Sequence, residues 1–333
     1  MLGRWQGHLI FFYYLDRHIK NMNSNVQLSF SISFSASSRY LPSRYDKKLL
    51  ILLVQLTLDI ETYLPVQTTP MMLLDVNGYN IRYLRYPNGG SSRKETLVLL
   101  HGIGASADRW SYVSPTLSKY YQLIIPDIVG FGYSDKPTVE YTMDFFVSFF
   151  EDFLRELKVE RLSIIGSSFG GYLATEFTAR NPKNVDKLIL AAPAGAMRTS
   201  TRTLDQYIMA ALYPTYENTK RAFKDMANEP SVVSEETVRD FMNRMRLPNA
   251  KYAFMSTLLA MRDSQSLSKS LSKIDVPTLL IWGENDRMIP LAYSKEYTEI
   301  SMSNLTVIDN CGHTPFVEKP EEFNNIVLKF LKG

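Results

Sequence analysis

Short apolar runs alternate with amphipathic stretches along the chain from Met72 onward. A continuous apolar run of four to six residues is typical of a strand that is buried on both faces of a parallel sheet. Two strands joined at Asn77-Gly78 are expected first, at residues 72–76 and 79–86, because this dipeptide favours a two-residue hairpin turn. Further strands are predicted at residues 96–100, 122–127, 161–166, 187–190, 278–282 and 305–308.

Helical patterns separate the predicted strands. Phenylalanine and leucine recur at spacings of three and four over residues 145–157, which predicts an amphipathic helix. A last helix is expected from Pro320, because proline fits the first turn and Glu321 and Glu322 suit the positive end of the helix dipole. Strands that alternate with helices predict an α/β fold, with a mostly parallel central sheet flanked by helices.

A long segment between the sixth and seventh predicted strands contains no strand-like run. Ser234 followed by Glu235 and Glu236 is a typical helix start within it. We expect residues 195–271 to form a helical cap over the carboxyl ends of the strands, where open α/β sheets bind ligands. The core would then comprise the flanking residues 71–194 and 272–333. Helical stretches are predicted in the cap at residues 204–212, 217–226, 235–245 and 252–261.

The first seventy residues show a different pattern. They contain a serine-rich run at 29–38 and an apolar run at 49–54. The apolar run is too short to span a bilayer, because a spanning helix needs about 20 apolar residues. Our preferred interpretation of residues 1–70 is an extension that is dispensable or poorly ordered and that precedes a start at Met71 or Met72. The alternatives are a helical flap over the site entrance and a membrane-surface or targeting segment.

Composition and charge narrow the function classes. With 37 Lys and Arg against 34 Asp and Glu, the formal net charge is +3, which creates no basic field for nucleic acid. The single cysteine, Cys311, excludes an intrachain disulfide and fits a cytoplasmic protein. Cysteine and histidine do not cluster at zinc-ligand spacing, so we expect neither a metal nor an organic cofactor. Stable membrane insertion is not expected either.

Residues 166–170 read Gly-Ser-Ser-Phe-Gly and match the pattern Gly-x-Ser-x-Gly. The match lies between a predicted buried strand and a predicted helix, which is the context in which this pattern presents a serine on a sharp turn. Such a turn needs small residues two positions before and two positions after the serine. Gly166 and Gly170 meet that requirement around Ser168 and not around Ser167. We therefore predict that Ser168 is a catalytic nucleophile.

A serine hydroxyl needs a base that takes its proton. His101 ends a strand and is expected to shape a loop, so His313, just after the last predicted strand, is the expected base. Asp286 follows the preceding strand and would fix the tautomer of the imidazole, with the nearby Glu284 as its rival. Cys311 has no sharp turn around it and is predicted to be structural. The other two histidines fall in the N-terminal extension, at His8 and His18.

The negative oxygen that develops in acyl transfer needs preorganised hydrogen-bond donors. We expect the backbone N–H groups of Phe169, directly after the nucleophile, and of Ile103, in the glycine-containing loop after His101, to form this oxyanion hole. The cap is rich in methionine and tyrosine, which favours an apolar acyl or aryl group in the substrate. The predicted substrate contacts are Gly102, Trp110, Met197, Met255 and Phe316.

Together these motifs resemble the α/β-hydrolase superfamily over residues 72–333. The resemblance implies the α/β-hydrolase fold, with the triad in the order Ser168, Asp286, His313. Serine at the sharp turn separates the chain from haloalkane dehalogenases and epoxide hydrolases, which use aspartate there. The resemblance includes His101-Gly102, residues 127–134, residues 166–171, the Asp286 loop and Gly312-His313.

Among these enzymes the chain is most similar to carboxylesterases and lipases. The expected function is therefore hydrolysis of a small carboxylic ester through an acyl-enzyme intermediate. Meta-cleavage product hydrolases, which cut carbon–carbon bonds, are the rival family, and Trp110, Arg244 and Arg246 loosely resemble them. However, Thr314 stands where that family usually carries tryptophan. A lactonase is a further alternative, and a non-catalytic ligand receptor on the same fold is the alternative from another class.

Overall fold

The computed structural model describes residues 71–86, 95–263 and 267–333, and the extension predicted at residues 1–70 lies outside them. The strands in the described ranges are β1 (Met71–Val76), β2 (Tyr79–Tyr86), β3 (Thr96–Leu100), β4 (Gln122–Pro126), β5 (Leu162–Ser167), β6 (Val185–Ala191), β7 (Thr278–Gly283) and β8 (Ser303–Ile308). They form one eight-stranded sheet with the spatial order β1-β2-β4-β3-β5-β6-β7-β8.

The sheet is mostly parallel, as predicted. β2 runs antiparallel to both of its neighbours, β1 and β4, whereas all pairings from β4 across to β8 are parallel. Asn77 and Gly78 turn the β1–β2 hairpin with φ values of 55° and 82°, the left-handed conformation that a two-residue hairpin turn requires. The parallel strands therefore end at a common edge, from which the loops after β3, β5, β7 and β8 emerge.

Helices cover both faces of this sheet. Their bounds are α1 (Ser114–Leu117), α2 (Met143–Glu156), α3 (Phe169–Arg180), α4 (Arg202–Leu212), α5 (Tyr216–Met226), α6 (Glu235–Met245), α7 (Ala250–Asp263), α8 (Leu267–Leu271), α9 (Ser294–Tyr297), α10 (Pro315–Glu318) and α11 (Pro320–Lys332). Alternate residues of a strand point to opposite faces, so Val98 and Leu100 pack with α2 and α3. Leu97 and Leu99 pack with α1 and α11 on the other face.

The cap, residues 195–271, is inserted after the sixth strand, and its helices are α4 to α8. Thr201, Thr215 and Ser234 each begin a helix by accepting a hydrogen bond from the backbone N–H three residues later. The helix start predicted at Ser234 is thereby confirmed. α8 was absent from the prediction because a single turn containing two serines and a lysine is too short to show a helical period.

Candidate active site

Ser168 stands on the sharp turn between β5 and α3. Its φ of 52° and ψ of −119° form a conformation that the surrounding structure must hold in place, because it is sparsely populated for any residue with a side chain. The positions of Gly166 and Gly170, on either side of it, have no room for a side chain. A Cβ on Gly166 would lie 2.6 Å from the Cα of Gly171, and a Cβ on Gly170 would lie 2.5 Å from the carbonyl oxygen of His101.

Asp286 and His313, from the loops after β7 and β8, are joined by a buried hydrogen bond. His313 Nδ1 lies 2.8 Å from Asp286 Oδ2, and both side chains are almost completely shielded from solvent. The other carboxylate oxygen accepts the backbone N–H groups of Met288 and Ile289, at 2.8 and 2.9 Å. Because an ionised carboxylate can only accept, we assign the imidazole proton to Nδ1, which leaves Nε2 as an acceptor.

Ser168 and His313 line the same cavity. Their side chains share no hydrogen bond in the described part of the chain, and such contacts often tighten only when a substrate binds. The rival carboxylate, Glu284, is exposed and accepts the backbone N–H of Asn310 at 3.1 Å. Glu284 thus braces a loop, whereas Asp286 faces the histidine.

The loop after β3 is held by His101, in line with the loop-shaping role expected for this residue. Its Nε2 accepts the backbone N–H of Ile128 at 3.0 Å, so Nδ1 carries the proton and donates it to the carbonyl oxygen of Gly102 at 2.7 Å. Burial lowers the pKa of His101 to about 4, which keeps the ring neutral. The backbone N–H groups of Ile103 and Phe169 donate to no other described residue, which leaves both available to a negative oxygen.

A cavity lies at Ser168, lined by residues of the sheet edge and of the cap. Of the predicted substrate contacts, Gly102 and Phe316 line it, together with Ile103 of the predicted oxyanion hole. Sequence reasoning did not single out most of the side chains that complete its wall. These additional lining residues are Arg109 on the loop side and Tyr207, Phe223, Met226, Phe241 and Arg244 on the cap side.

Trp110, Met197 and Met255 are not among the residues that line this cavity, contrary to expectation. Trp110 is fully buried, and its ring stacks behind that of Phe316 with 4.1 Å between the ring centroids. Met255, in α7, is half-buried and lines a separate surface groove. Met197 packs against the apolar cluster on the α2 and α3 side of the sheet. The methionine content of the cap therefore did not identify which side chains line the cavity at Ser168.

Arg109 and Arg244 bring positive charge to an otherwise apolar wall. Arg244 is only 4% exposed, and its Nε has no hydrogen-bond partner. Neither guanidinium pairs with a carboxylate among the described residues. Burial and, to a smaller degree, the charge of Arg244 lower the pKa of Arg109. The sequence pattern of α6 does indicate that Arg244 is unusual, because it falls on the same helix face as Val238 and Phe241, where an apolar residue is expected.

Cys311 does not line the cavity at Ser168. The thiol is free and buried in the cluster between the sheet and α11, and burial raises its pKa, which keeps it protonated and unreactive. In the three described ranges, no group of three His, Cys, Asp or Glu side chains could hold a metal ion. The same ranges contain no helix with the length and hydropathy needed to cross a membrane.

Comparison with known proteins places this geometry in a family. Residues 95–320 match the model of the alpha/beta hydrolase fold family. A 2-hydroxy-6-oxononadienedioate/2-hydroxy-6-oxononatrienedioate hydrolase of Pseudomonas putida is 32% identical over 72% of this chain and 88% of its own length. The structure is similar to a meta-cleavage product hydrolase of Pseudomonas fluorescens IP01, with a TM-score of 0.70 and 28% identity over 78% of this chain and 97% of that one. It is also similar to a membrane phospholipase A, with a TM-score of 0.68 and 25% identity over 86% and 97% of the two chains. The chain therefore belongs to the α/β-hydrolase family and is a hydrolase.

Proposed function

We propose that this chain is a serine hydrolase that cleaves the ester of a small molecule carrying a free carboxylate group. Ser168 is the nucleophile, His313 the base and Asp286 the carboxylate that orients it. The observation that carries the substrate class is the presence of two guanidinium groups, from Arg109 and Arg244, at the cavity above Ser168. The proposed chemistry and the proposed substrate class thus rest on residues that line one cavity.

The unpaired arginines argue for an anionic substrate on energetic grounds. Moving a cation out of water costs several kcal/mol unless a partner of opposite charge compensates it. Arg244 is nearly fully buried and has no such partner among the described residues. A carboxylate matches the planar donor fork of a guanidinium and would supply the missing charge. Phe223, Phe241 and Met226 would contact the apolar remainder of the substrate.

The proposed reaction proceeds in two acyl-transfer steps. The Ser168 oxygen attacks the ester carbonyl while His313 Nε2 takes the hydroxyl proton, and the N–H groups of Ile103 and Phe169 bind the resulting oxyanion. The carbon–oxygen bond then breaks, and His313 returns its proton to the leaving alcohol. Water, activated by His313, attacks the acyl-enzyme, releases the acid and restores the serine hydroxyl.

Carbon–carbon cleavage of a dienoic acid is the second candidate. The relative from Pseudomonas putida is named for dienedioate and trienedioate substrates, which are acids and would suit the two arginines. In such a reaction the leaving carbon must gain a proton after the bond breaks. Ester cleavage needs only one proton passed between two oxygens, which His313 supplies alone. We therefore place ester hydrolysis first.

A substrate panel tests the proposal. It contains a half-ester of a dicarboxylic acid, the corresponding neutral diester, a lactone and a 2-hydroxy-6-oxodienoic acid, each assayed with the wild type, Ser168→Ala and Arg244→Met. We expect kcat/KM for the half-ester to exceed that for the diester, and Arg244→Met to lower it about 100-fold, since losing one partner of a buried charge pair costs roughly 2–5 kcal/mol. Arg244→Met should leave the diester almost unaffected.

Each of the other outcomes would contradict a specific part of the proposed function. Equal turnover of half-ester and diester would contradict the anionic substrate. Turnover of the dienoic acid alone would make carbon–carbon cleavage the function. Full activity of Ser168→Ala would remove the proposed nucleophile. Tight binding without turnover of any compound would favour a receptor.

A further inference from the structure

Ile103 lies between two peptide groups, each fixed at its carbonyl oxygen, and the Ile103 N–H belongs to the first of them. On one side, the Gly102 carbonyl accepts the His101 Nδ1 proton at 2.7 Å and the Ala105 N–H at 3.1 Å. In a trans peptide the N–H points opposite to the carbonyl of the same unit, so these bonds aim the Ile103 N–H away from His101. On the other side, the Ile103 carbonyl accepts the hydroxyl of Tyr207 at 2.7 Å.

Tyr207 does not belong to the sheet. It lies in α4 of the cap and is 6% exposed, and its hydroxyl reaches across 104 positions of sequence to the loop after β3. The ring packs against three other cap rings, Phe223, Phe241 and Phe254, with centroid distances of 6.1, 5.3 and 6.0 Å. A cap side chain thus donates directly to the backbone of the residue that carries a predicted oxyanion donor.

Gly104 shows how closely the cap covers this loop. It has a φ of +70°, and a Cβ there would meet Phe254, the Tyr207 hydroxyl and Phe241 at 3.1, 3.2 and 3.3 Å. These three contacts come from α7, α4 and α6. The cap is therefore seated on the oxyanion loop itself, and Tyr207 supplies the hydrogen bond within that contact.

We propose that Tyr207 is a positioning residue for the oxyanion hole: by holding the Ile103 carbonyl, it couples the seating of the cap to the orientation of the Ile103 N–H. This inference rests on the proposed serine-hydrolase function. The described hydrogen bond of the Tyr207 hydroxyl goes to the Ile103 carbonyl and not to Ser168. Its hydroxyl limits the rotation of the peptide group after Ile103, and His101 limits the rotation of the one before it.

The test measures the reaction of Ser168 with an alkyl fluorophosphonate, which needs no knowledge of the natural substrate. The Ser168 oxygen bonds to phosphorus, fluoride leaves and His313 takes the hydroxyl proton, while the phosphoryl oxygen occupies the oxyanion hole. Tyr207→Phe keeps the ring and removes only the donor. We expect its second-order labelling rate to fall about tenfold, which corresponds to about 1.4 kcal/mol.

Tyr252→Phe is the matched control. Tyr252 is also a cap tyrosine whose hydroxyl donates to a core carbonyl, that of Val139 at 3.1 Å, but it lies away from the oxyanion loop. Its labelling rate should equal that of the wild type. Equal rates for Tyr207→Phe and wild type, or equal losses in both variants, would overturn the coupling.

Two further measurements keep the outcomes separate. 4-Aminophenylalanine at position 207 restores a donor, so it should recover most of the lost rate; no recovery would contradict the hydrogen-bond role even if Tyr207→Phe folds poorly. A wild type that the fluorophosphonate does not label at Ser168 would instead contradict the proposed serine hydrolase. Thermal unfolding of each variant shows whether a lost rate merely follows lost stability.

Discussion

The two walls of the cavity are built in different ways. The sheet wall, which carries Ser168, Ile103 and His313, is held by backbone geometry and by glycine positions that exclude any side chain. The cap wall, which carries Tyr207 and Arg244, is held by packing between aromatic and apolar side chains of its helices. Backbone geometry tolerates little change, and a packed apolar wall tolerates substitution by residues of similar volume. We infer that the sheet wall sets the reaction, and that the cap wall sets the substrate together with Arg109 on the loop side.

The largest expected effect comes from breaking the chemistry of the sheet wall. Asp286→Asn keeps the shape of the side chain. It replaces the carboxylate oxygen that accepts the Nδ1 proton of His313 with an amide, which can place its NH₂ group there instead. The amide would favour the wrong tautomer of the imidazole, so we expect kcat to fall about 10⁴-fold. Steady-state kinetics on the best substrate of the panel measures this change.

Glu284→Gln is the control for that change. Glu284 lies two residues away and is exposed, so its variant should keep kcat within about twofold of the wild type. If instead Glu284→Gln is the inactive variant and Asp286→Asn is active, the assignment of the acid is reversed.

The second prediction breaks the geometry of the sheet wall and not its chemistry. In Gly170→Ala, the new Cβ would lie 2.5 Å from the His101 carbonyl oxygen and closer still to that of Leu100. Backbone atoms cannot move aside as a flexible side chain can, so we expect the free energy of unfolding to fall by about 3 kcal/mol. The midpoint of urea denaturation measures the loss.

Gly78→Ala separates crowding from backbone strain. Gly78 has a positive φ of 82°, unlike Gly170, and no atom lies within 4 Å of the position that a Cβ would take at residue 78. Its variant should lose only about 1 kcal/mol, from strain alone. A loss in Gly170→Ala no larger than in Gly78→Ala would mean that the sharp turn adapts to a side chain.

The same contrast explains what could be predicted from the sequence. Strands buried on both faces appear as continuous apolar runs, and the turn at Ser168 needs glycines at fixed offsets, so local sequence alone indicates both. The pairing of Asp286 with His313 could be inferred because parallel strands end at one edge. The pattern of α6 places Arg244 on the face of Val238 and Phe241, but the direction of Tyr207 depends on how the cap helices pack against one another and on the loop after β3. That packing has no local signature, which is why Met255 was expected at the cavity and Tyr207 was not.

The smallest expected effect concerns His101, whose side chain holds the loop after β3 in the sheet wall by two hydrogen bonds. The folded pKa is about 4 against an ordinary value of 6.5, so below pH 6.5 the unfolded chain binds a proton that the folded chain does not. The contribution of neutral His101 to the free energy of unfolding is therefore fully present above pH 6.5 and is lost as the pH falls towards 4. Between pH 6.5 and 5.5 we expect His101 to lower the free energy of unfolding by about 1 kcal/mol.

Urea denaturation of the wild type and of His101→Asn at several pH values measures this contribution. It appears as a difference in the slope of the free energy of unfolding against pH. Asparagine does not titrate, so the variant should lose less stability than the wild type over the same pH interval, whatever its stability at pH 7. Tyr252→Phe should retain the wild-type slope, because it lies away from the loop that His101 holds. Parallel slopes for wild type and His101→Asn would show that the folded protein protonates His101 in this range. The hydrogen bond from Ile128 to Nε2 would then break, and the loop that carries Ile103 would be held by the two bonds to the Gly102 carbonyl and by the cap.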